Sequence, residues 1–380
     1  MSRLKILVDA HIFSGIGQGS VTYIKGLYES FCKNYSSHYD IYFAVNDKSD
    51  VPYQIMQYIP NENIIELKSK NSLERILVEF TKIIKKYQID FAHFQYIIPI
   101  SLRGRCKYIV TTHDILFNYF PEDFPLLYRI VRNFFFKRSL QKATIKLTVS
   151  KYSKQTISEF YHIPESEIAI TPNAVDEIFF QPFDKADSLS FVREKYKINS
   201  SFILYVSRIE PRKNHSLVLQ AYKEMHLFER GISLVFVGGK GIPCTELQSM
   251  IDSLNEQEKE KFYWVEDIPF ADLIGFYRAA ELFIYPSKAE GFGIPPLEAA
   301  AVGSKVLLSN TTAMSEFEFM VDSFFNPELI EELKDKIKIS LSTPINEKEI
   351  SNRIQTIKSK YSWEKSADIL HSEIQKKISL

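Results

Sequence analysis

Two hydrophobic periods alternate along the chain. Short apolar runs rich in β-branched and aromatic residues are followed by longer segments in which apolar positions recur every three or four residues. Strands produce the first pattern and helices the second, and their alternation is typical of βαβ units around a parallel sheet. In the first half of the chain the pattern predicts strands at residues 4–9, 40–45, 63–67, 91–94, 108–112 and 146–149, with helices at 20–33, 72–87, 125–141 and 153–161.

The alternation is interrupted once. Residues 183–201 are polar and show no clear period, and strands are then predicted at 202–206, 232–237, 261–265, 281–285 and 305–308. A chain of 380 residues is too long for one ordinary domain. We therefore predict two doubly wound α/β domains, at 1–180 and 181–360, joined near residues 177–200.

The sequence pattern of residues 361–380 predicts a separate helix. Ser362 can cap its N-terminus, and apolar positions follow at spacings of three and four: Trp363, Ala367, Leu370, Ile374 and Ile378. This apolar stripe requires a surface to cover. The helix either lies on the second domain or returns to the first, and the periodicity favours neither interpretation.

Composition excludes several classes of protein. Hydrophobic residues make up 45% and charged residues 25% of the chain, as in a globular protein. Lys and Arg total 47 and Asp and Glu total 47, a balance that argues against a general nucleic-acid binder. The three cysteines have no metal-ligand spacing and predict no disulfide framework. There is no apolar run near the ~20 residues of a membrane span and no secretory signal pattern, so we expect a cytoplasmic protein.

A glycine-rich loop follows the strand predicted at 281–285. Gly291 and Gly293 allow the backbone to approach a ligand, and Pro295 suits the first turn of the helix that comes next. A helix N-terminus offers free N–H groups to a phosphate or a sugar oxygen, and Glu290 and Glu298 can accept hydrogen bonds from sugar hydroxyls. The alternative is an ordinary turn with two solvated glutamates.

A basic loop follows the strand predicted at 202–206. Arg208, Arg212 and Lys213 lie within six residues at a strand-to-helix turn, where open α/β sheets bind ligands. Arg208 and Lys213 could clamp a diphosphate and neutralise a phosphate leaving group. A solvated basic loop is the alternative.

In the first half of the chain, Gly15, Gly17 and Gly19 follow the first predicted strand, but Ser20 breaks the dinucleotide fingerprint G-x-G-x-x-G.

His113 comes directly after the strand predicted at 108–112, at the edge of the sheet where ligands bind. No Asp-x-Asp occurs in the sequence, and no group of acidic and histidine residues has the spacing of a metal site.

The stretch from Arg103 to Lys154 is strongly basic, with 11 basic and 3 acidic residues. Within it, basic and aromatic residues interleave at 128–138 on a predicted helix. One interpretation is an amphipathic helix with its apolar side in the core and its cations in solvent. The other is a face that rests on an anionic membrane.

These motifs, in this order, resemble glycosyltransferase family 4, the retaining GT-B nucleotide-sugar transferases that include mannosyltransferases of bacterial surface-polysaccharide synthesis. The resemblance covers nearly the whole chain and rests on segments 15–19, 112–114, 149–153, 172–176, 207–214, 236–238 and 290–298. It implies two Rossmann-like domains facing across a cleft, with the C-terminal helix crossing back to the N-terminal domain. One departure is Ser315-Glu316-Phe317, where the family often has a Pro-Glu pair.

The resemblance also implies site residues. The catalytic set would be His113, Arg208, Lys213 and Glu290, with Arg208 and Lys213 on the donor diphosphate and Glu290 on the donor sugar. The donor-binding set would be Gly15, Gly17, Asn173, Val265, Ile268, Phe292, Gly293, Ile294 and Glu298. Within it Glu298 would bind the ribose hydroxyls, Val265 and Ile268 would hold the base, and Asn173 has no definite role.

The predicted reaction is transfer of a hexose, with mannose favoured, to a glycan or lipid-diphosphate-linked acceptor, without a metal or other cofactor. Donors carrying UDP or dTDP remain open. A GT-B phosphorylase or epimerase and a non-catalytic sugar-nucleotide-binding protein are alternatives. A nicotinamide dehydrogenase is a third, against which the broken fingerprint at Ser20 argues.

Overall fold

The computed structural model describes residues 3–14, 19–101 and 104–378. The chain divides into two compact units. Unit 1 consists of Met1–Ala174 and Tyr361–Leu380, and unit 2 consists of Val175–Lys360. Each contains one parallel sheet with helices, so the predicted fold class of two doubly wound α/β domains is confirmed.

Unit 1 is built on a seven-stranded parallel sheet in the order β3-β2-β1-β4-β5-β6-β7. Its strands are β1 Leu4–Asp9, β2 Tyr39–Val45, β3 Ile64–Glu66, β4 Phe91–Gln95, β5 Lys107–Thr111, β6 Ile145–Thr148 and β7 Ile168–Ile170. Its first six helices are α1 Gly19–Tyr35, α2 Tyr53–Met56, α3 Ser72–Glu74, α4 Phe80–Tyr87, α5 Leu126–Lys142 and α6 Lys151–Tyr161. A π-helical turn, Arg75–Glu79, joins α3 to α4.

Unit 2 is built on a six-stranded parallel sheet in the order β10-β9-β8-β11-β12-β13. Its strands are β8 Phe202–Val206, β9 Ser233–Val237, β10 Phe262–Val265, β11 Leu282–Tyr285, β12 Val306–Ser309 and β13 Phe324–Phe325. Its helices are α7 Lys185–Tyr196, α8 His215–Glu224, α9 Thr245–Asp252, α10 Glu256–Lys259, α11 Phe270–Ala279, α12 Ile294–Ala301, α13 Ile330–Ser342 and α14 Glu347–Lys360.

Short 3-10 helices complete the two units. They are His11–Ser14, Lys48–Asp50, Asn61–Asn63, Leu116–Asn118, Pro121–Asp123, Glu165–Glu167, Glu177–Phe180, Pro211–Lys213, Thr312–Glu316 and Glu318–Ser323. The central strands β1, β8 and β11 are almost completely buried. Both of their faces are covered by helices, so apolar residues run along them without alternation.

The predicted domain boundary is wrong by six residues, since unit 2 begins at Val175 and not at residue 181. The 3-10 helix Glu177–Phe180 belongs to unit 2 because the Phe179 ring packs against Tyr277 of α11, with ring centroids 5.7 Å apart. The predicted junction near residues 177–200 is also wrong, because the chain passes from unit 1 to unit 2 at Ala174–Val175. The helix α7 occupies 185–196 and covers α11, where the Phe191 ring fills the space beside Gly275.

The C-terminal helix α15, Trp363–Ile378, packs on α1 in unit 1, so the predicted return to the N-terminal domain is correct. Its N-terminus is capped as expected, because the Lys365 N–H donates to Ser362 Oγ at 3.3 Å. Its stripe buries Ala367, Leu370 and Ile374, whereas Ile378 at the other end stays exposed. The Ser366 hydroxyl donates to the carbonyl of Pro172 at 2.7 Å and adds a polar attachment.

Gly26 of α1 provides the closest approach between the two helices. A Cβ at this position would lie 2.1 Å from Cε2 of Trp363. We expect Gly26→Ala to lower the free energy of unfolding by about 1–3 kcal/mol through overpacking, although alanine is the better helix former by ~1 kcal/mol. Gly19→Ala, whose Cβ would meet nothing within 4 Å, is the matched control. Denaturant unfolding measures both, and equal stability of the two variants would show that α15 is not held closely against α1.

Candidate functional site

In unit 2 the strand order reverses between β8 and β11, which are parallel neighbours in the sheet. Ligands of doubly wound sheets bind outside the carboxyl ends of the strands at such a reversal. The loops after β8 and β11 are the basic loop and the glycine-rich loop of the sequence, and they touch, because the Lys288 N–H donates to the Arg212 carbonyl at 2.8 Å. The fold therefore brings together two motifs that are about eighty residues apart in the chain.

A buried ion pair joins the two loops. Lys213 Nζ lies 2.5 Å from Glu290 Oε1, and both side chains are about nine-tenths buried. The Tyr285 hydroxyl, at the end of β11, donates to the same carboxylate oxygen at 2.9 Å. The Tyr205 hydroxyl of β8 donates to the Lys213 carbonyl at 2.5 Å and holds the backbone of the basic loop.

Arg212 supports the pair from the other carboxylate oxygen. Its NH1 lies 3.5 Å from Glu290 Oε2 and donates to the Ala289 carbonyl at 2.8 Å, while its NH2 lies 2.9 Å from Glu210 Oε2. The alternatives of a solvated basic loop and solvated glutamates are therefore wrong for Arg212, Lys213 and Glu290. Arg212 and Lys213 form ion pairs with Glu290 in a buried cluster.

The cluster controls the ionisation of Glu290. Burial alone would raise the pKa of this carboxyl, but Lys213 and Arg212 outweigh burial and lower the pKa to about 2. Burial lowers the pKa of the Lys213 ammonium, and the Glu290 carboxylate opposes that effect. Glu290 is thus an anion at neutral pH, held by hydrogen bonds on both oxygens.

Glu298 lies one turn into α12 and has the opposite electrostatic environment. The pKa of its carboxyl is raised to about 7, because burial raises it strongly, a hydrogen bond from Tyr277 only partly opposes burial, and the negative charge of Asp176 adds to it. The Tyr277 hydroxyl donates to Glu298 Oε2 at 2.8 Å. The carboxyl therefore changes its charge near neutral pH.

The N-terminus of α12 is shaped by Gly293, which has φ +99° and precedes the helix. A Cβ there would lie 3.0 Å from Cγ of Met314, so both the backbone angle and the space favour glycine. The Phe292 ring is buried against Phe317, with ring centroids 5.7 Å apart. Ile294 begins the helix and exposes part of its surface.

The remaining predicted donor contacts in unit 2 lie outside the buried cluster. The Arg208 side chain is 47% exposed and its Nε lies 3.9 Å from Glu210 Oε1, a weak ion pair that leaves the guanidinium accessible. Val265 ends β10, and Ile268 follows it in the next loop, both half-buried. These two residues are separated from the loops after β8 and β11 by the intervening strand β9.

In unit 1 the strand order reverses between β1 and β4, and His113 follows β5, the next strand along. Its ring is buried, and burial lowers the pKa of the imidazole to about 3, so the ring is neutral at physiological pH. His113 Nε2 lies 2.6 Å from Gln95 Oε1 at the end of β4. The rings of Tyr23 and Tyr96 pack on the imidazole at 4.9 and 5.3 Å between centroids.

Asn173 follows β7 and is buried, and its Oδ1 has no hydrogen-bond partner among the described residues. Such an atom can accept a hydrogen bond from a ligand. Gly15 and Gly17 lie outside the described residues. Glu316 is half-buried in the 3-10 helix Thr312–Glu316.

The sequence interpretation missed the tyrosines of the site and the role of Gln95. Tyr285 ends β11, Tyr205 is the last residue but one of β8, and Tyr277 lies on α11. A hydroxyl at the carboxyl end of a buried strand is an available signal, because that end borders the ligand crevice. Tyr277 has no such signal, since its partner Glu298 belongs to a different helix.

No group of three or more His, Cys, Asp or Glu side chains in the described part of the chain is arranged to hold a metal ion. Within the same residues, no helix combines the length and the apolar character needed to cross a membrane.

Comparison with known proteins agrees with this architecture. The family described as "Glycosyl transferases group 1" matches residues 190–357, and that described as "Glycosyltransferase Family 4" matches residues 26–178. The sucrose-phosphate synthase of Thermosynechococcus elongatus superposes with a TM-score of 0.79 at 16% identity, over 99% of this chain and 100% of the other. Anabaena HepE in complex with UDP-glucose has a TM-score of 0.72 at 16% identity, over 100% of both chains. The fold is GT-B, and the two glycosyltransferase family models together match most of the chain.

Two curated relatives resemble this chain in sequence. The serotype-specific mannosyltransferase WbdA of Escherichia coli is 27% identical over 231 residues, which are 60% of this chain and 28% of WbdA. The O-antigen chain mannosyltransferase B of Escherichia coli is 32% identical over 231 residues, 60% of each chain. The match therefore spans less than two thirds of the length of either relative.

Proposed function

We propose that this chain is a retaining glycosyltransferase that moves a hexose, with mannose favoured, from a nucleotide diphosphate sugar to a hydroxyl group. The observation that carries the proposal is the buried cluster of Lys213, Arg212 and Glu290 beside the N-terminus of α12. The two curated relatives are both named mannosyltransferases, which supports mannose as the transferred sugar. The UDP-glucose in the HepE structure supports a nucleotide-sugar donor and keeps a UDP-linked sugar as the second candidate.

Departure of the nucleotide places negative charge on a β-phosphate oxygen. We propose that Arg208, with its accessible guanidinium, and Lys213 stabilise this charge, together with the free N–H groups at the start of α12. Pro295 and Pro296 have no N–H, so the free backbone donors at the start of this helix are those of Gly293 and Ile294. In the proposed site these groups replace a metal ion, and no cofactor is required.

The contacts of the Glu290 carboxylate favour a front-face mechanism, in which the acceptor attacks from the side that the nucleotide leaves. A double displacement requires a free carboxylate nucleophile, whereas both oxygens of Glu290 are engaged by Lys213, Arg212 and Tyr285. In the proposed step the bond between the anomeric carbon and the β-phosphate oxygen breaks. The acceptor oxygen bonds to the same face of that carbon, and its proton passes to the departing phosphate oxygen. Glu290 would then orient the donor sugar by accepting from its hydroxyls.

The acceptor we propose is a glycan or a lipid-diphosphate-linked glycan of polysaccharide synthesis. The name of the O-antigen chain mannosyltransferase B supports this class. In unit 1, the buried neutral His113 would lie beside the transferred sugar, with Gln95 fixing the imidazole. A lipid-linked acceptor would bring the enzyme to a membrane surface, and we propose peripheral contact with an anionic membrane.

A panel of nucleotide-sugars tested by thermal shift measures the donor preference. We propose GDP as the nucleotide of the mannose donor and therefore expect GDP-mannose to raise the unfolding temperature most. A ligand that binds only the folded state adds ~2.7 kcal/mol at a hundred times its dissociation constant. GDP without the sugar is the control for the sugar contacts. A panel in which no nucleotide-sugar shifts the transition would contradict the proposal.

Product analysis then separates the related reactions. Incubation with the donor and a glycan acceptor should yield a product whose anomeric configuration, read by NMR, matches that of the donor. An inverted product would overturn the retaining mechanism and leave the transferase in place. A new sugar nucleotide formed without acceptor would indicate an epimerase, and a sugar phosphate formed with free phosphate would indicate a phosphorylase.

A further inference from the structure

Helix α5 of unit 1 exposes apolar side chains on its N-terminal half. Leu126, Leu127, Ile130, Val131 and Phe134 are between 45% and 73% exposed. We call these five residues the apolar ridge. Residues four apart lie on one face of a helix, so the rows 126-130-134 and 127-131 form one continuous stripe. Five large apolar side chains together on a surface mark an interaction site, unlike single exposed ones.

The inward side of α5 is firmly anchored, so the orientation of the ridge follows from specific contacts. Asn133 and Asn118 exchange two side-chain hydrogen bonds of 2.7 and 2.9 Å. The Phe136 ring stacks on Tyr96 with centroids 4.9 Å apart, and Leu140 is completely buried. The interpretation of an amphipathic helix with its apolar side in the core is therefore wrong for residues 126–134, whose largest apolar side chains face away from the core.

The charge of α5 favours an anionic partner. The helix contains five basic residues and no acidic one. Lys137 and Lys142 are exposed and continue the same face toward the C-terminus of the helix, since Lys137 follows Phe134 by three positions and Lys142 follows Val131 by three turns. The Arg132 guanidinium instead packs over the Tyr128 ring at 5.0 Å.

The position of α5 relates the ridge to the carboxyl edge of the sheet. The chain leaves β5 at that edge, passes His113 and enters α5 at Leu126, so the ridge lies on the part of the helix nearest to this edge. A surface that holds the ridge would also be close to the loops that follow β4 and β5. A lipid-linked acceptor reaches the protein from such a surface.

We propose that the apolar ridge inserts into the headgroup region of an anionic lipid membrane, with Lys137 and Lys142 against the lipid phosphates. A basic helix with an exposed apolar face binds a bilayer interface in this way. The proposal deepens the membrane contact of the proposed function by naming the element that makes it. It rests on that contact and not on the transfer reaction, because binding to lipid requires no donor.

The test is co-sedimentation of the full chain with vesicles of phosphatidylglycerol and phosphatidylcholine in equal parts, and with phosphatidylcholine alone. We expect the wild type to sediment with the first, and Leu127→Ser/Phe134→Ser to lower its partition coefficient at least about tenfold. Lys137→Gln/Lys142→Gln should weaken binding to the anionic vesicles by about fivefold per lysine. The matched control is Val321→Ser/Ile339→Ser, which removes two equally exposed apolar side chains from unit 2 and should change nothing.

Each outcome bears on a separate statement. Vesicle binding that the ridge variant retains would overturn the ridge assignment and leave the membrane contact standing. No binding to anionic vesicles would overturn both, whereas a nucleotide-sugar thermal shift would still support the transferase. A wild-type dimer in light scattering that the ridge variant dissociates, without vesicle binding, would show that a second copy covers the ridge and would overturn the proposal. The unfolding midpoint of every variant confirms that it is folded.

Discussion

Lys213→Ala is expected to lower turnover at least ~100-fold and to destabilise unit 2 at the same time. The loss of turnover follows from the removal of a cation proposed to stabilise the leaving phosphate, since one such donor contributes ~10²–10³ in rate. The loss of stability follows from burial. Without Lys213, the Glu290 carboxylate keeps Arg212 and Tyr285 but loses its nearest cation, and removal of one partner from a buried pair costs about 3–5 kcal/mol.

The two effects can be separated by a double variant. Lys213→Met/Glu290→Leu replaces both charges by apolar side chains of similar volume, and such replacements of buried ion pairs are often neutral or stabilising. We expect the double variant to recover most of the unfolding free energy lost by Lys213→Ala while turnover stays at least ~100-fold down. Turnover that returns with stability would mean that the pair only holds the two loops together.

A second ion pair in unit 2 is the matched control. Lys195 Nζ lies 2.6 Å from Asp272 Oδ2, but the lysine side chain is half exposed and the pair joins α7 to α11, two helices outside the buried cluster. Exposed pairs contribute at most about 1 kcal/mol. Lys195→Ala should therefore leave turnover unchanged and lower the unfolding midpoint slightly.

Most strands were predictable because a parallel strand buried on both faces is a continuous apolar run. The predictions for β1 and β8 agree with the structure at both ends. The short strands β7 and β13 were not predicted, and the two residues of β13 are too few to show a period. The helix α7 was missed because its polar surface dominates the pattern, and Val192 is the one buried residue of this helix.

The sequence predicted which loops form the site, but it did not predict which side chains of those loops pair with one another. The motifs marked the loops after β8 and β11, yet the contact between Lys213 and Glu290 depends on those strands being neighbours. The alternation of strands and helices does not specify strand order. The resemblance to a family assigned separate roles to the two residues, and the structure adds that each favours the charged form of the other.

Glu298 is expected to make nucleotide-sugar binding depend on pH near neutrality. The pKa of its carboxyl is raised to about 7 by burial. Above that pH the carboxylate can accept hydrogen bonds from ribose hydroxyls, and below it the protonated group loses most of that capacity. The dissociation constant of GDP-mannose should rise as the pH falls below 7, by up to about tenfold per pH unit, in calorimetry from pH 6 to pH 8. A nucleotide-sugar suits this measurement because its diphosphate diester does not titrate in that range.

Lower pH should weaken donor binding, but it should increase the unfolding free energy of the ligand-free protein. The folded state holds the Glu298 proton more tightly than the unfolded state, so between about pH 4.5 and 7 the unfolding free energy falls as pH rises, by at most about 1.4 kcal/mol per unit. Glu298→Gln removes this contribution to the slope. The same variant should bind the donor more weakly at pH 8 and with less dependence on pH, and an unchanged pH profile would contradict the assignment of Glu298 to the donor.

Asp176→Asn provides the control that links the pH profile to Glu298. Asp176 caps the 3-10 helix Glu177–Phe180 by accepting from the Ile178 N–H at 3.1 Å, and asparagine caps equally well. The substitution therefore keeps the fold but removes the negative charge that raises the pKa of Glu298. We expect the midpoint of the binding profile to move to lower pH. A profile that stays in place would assign the titration to a group other than Glu298.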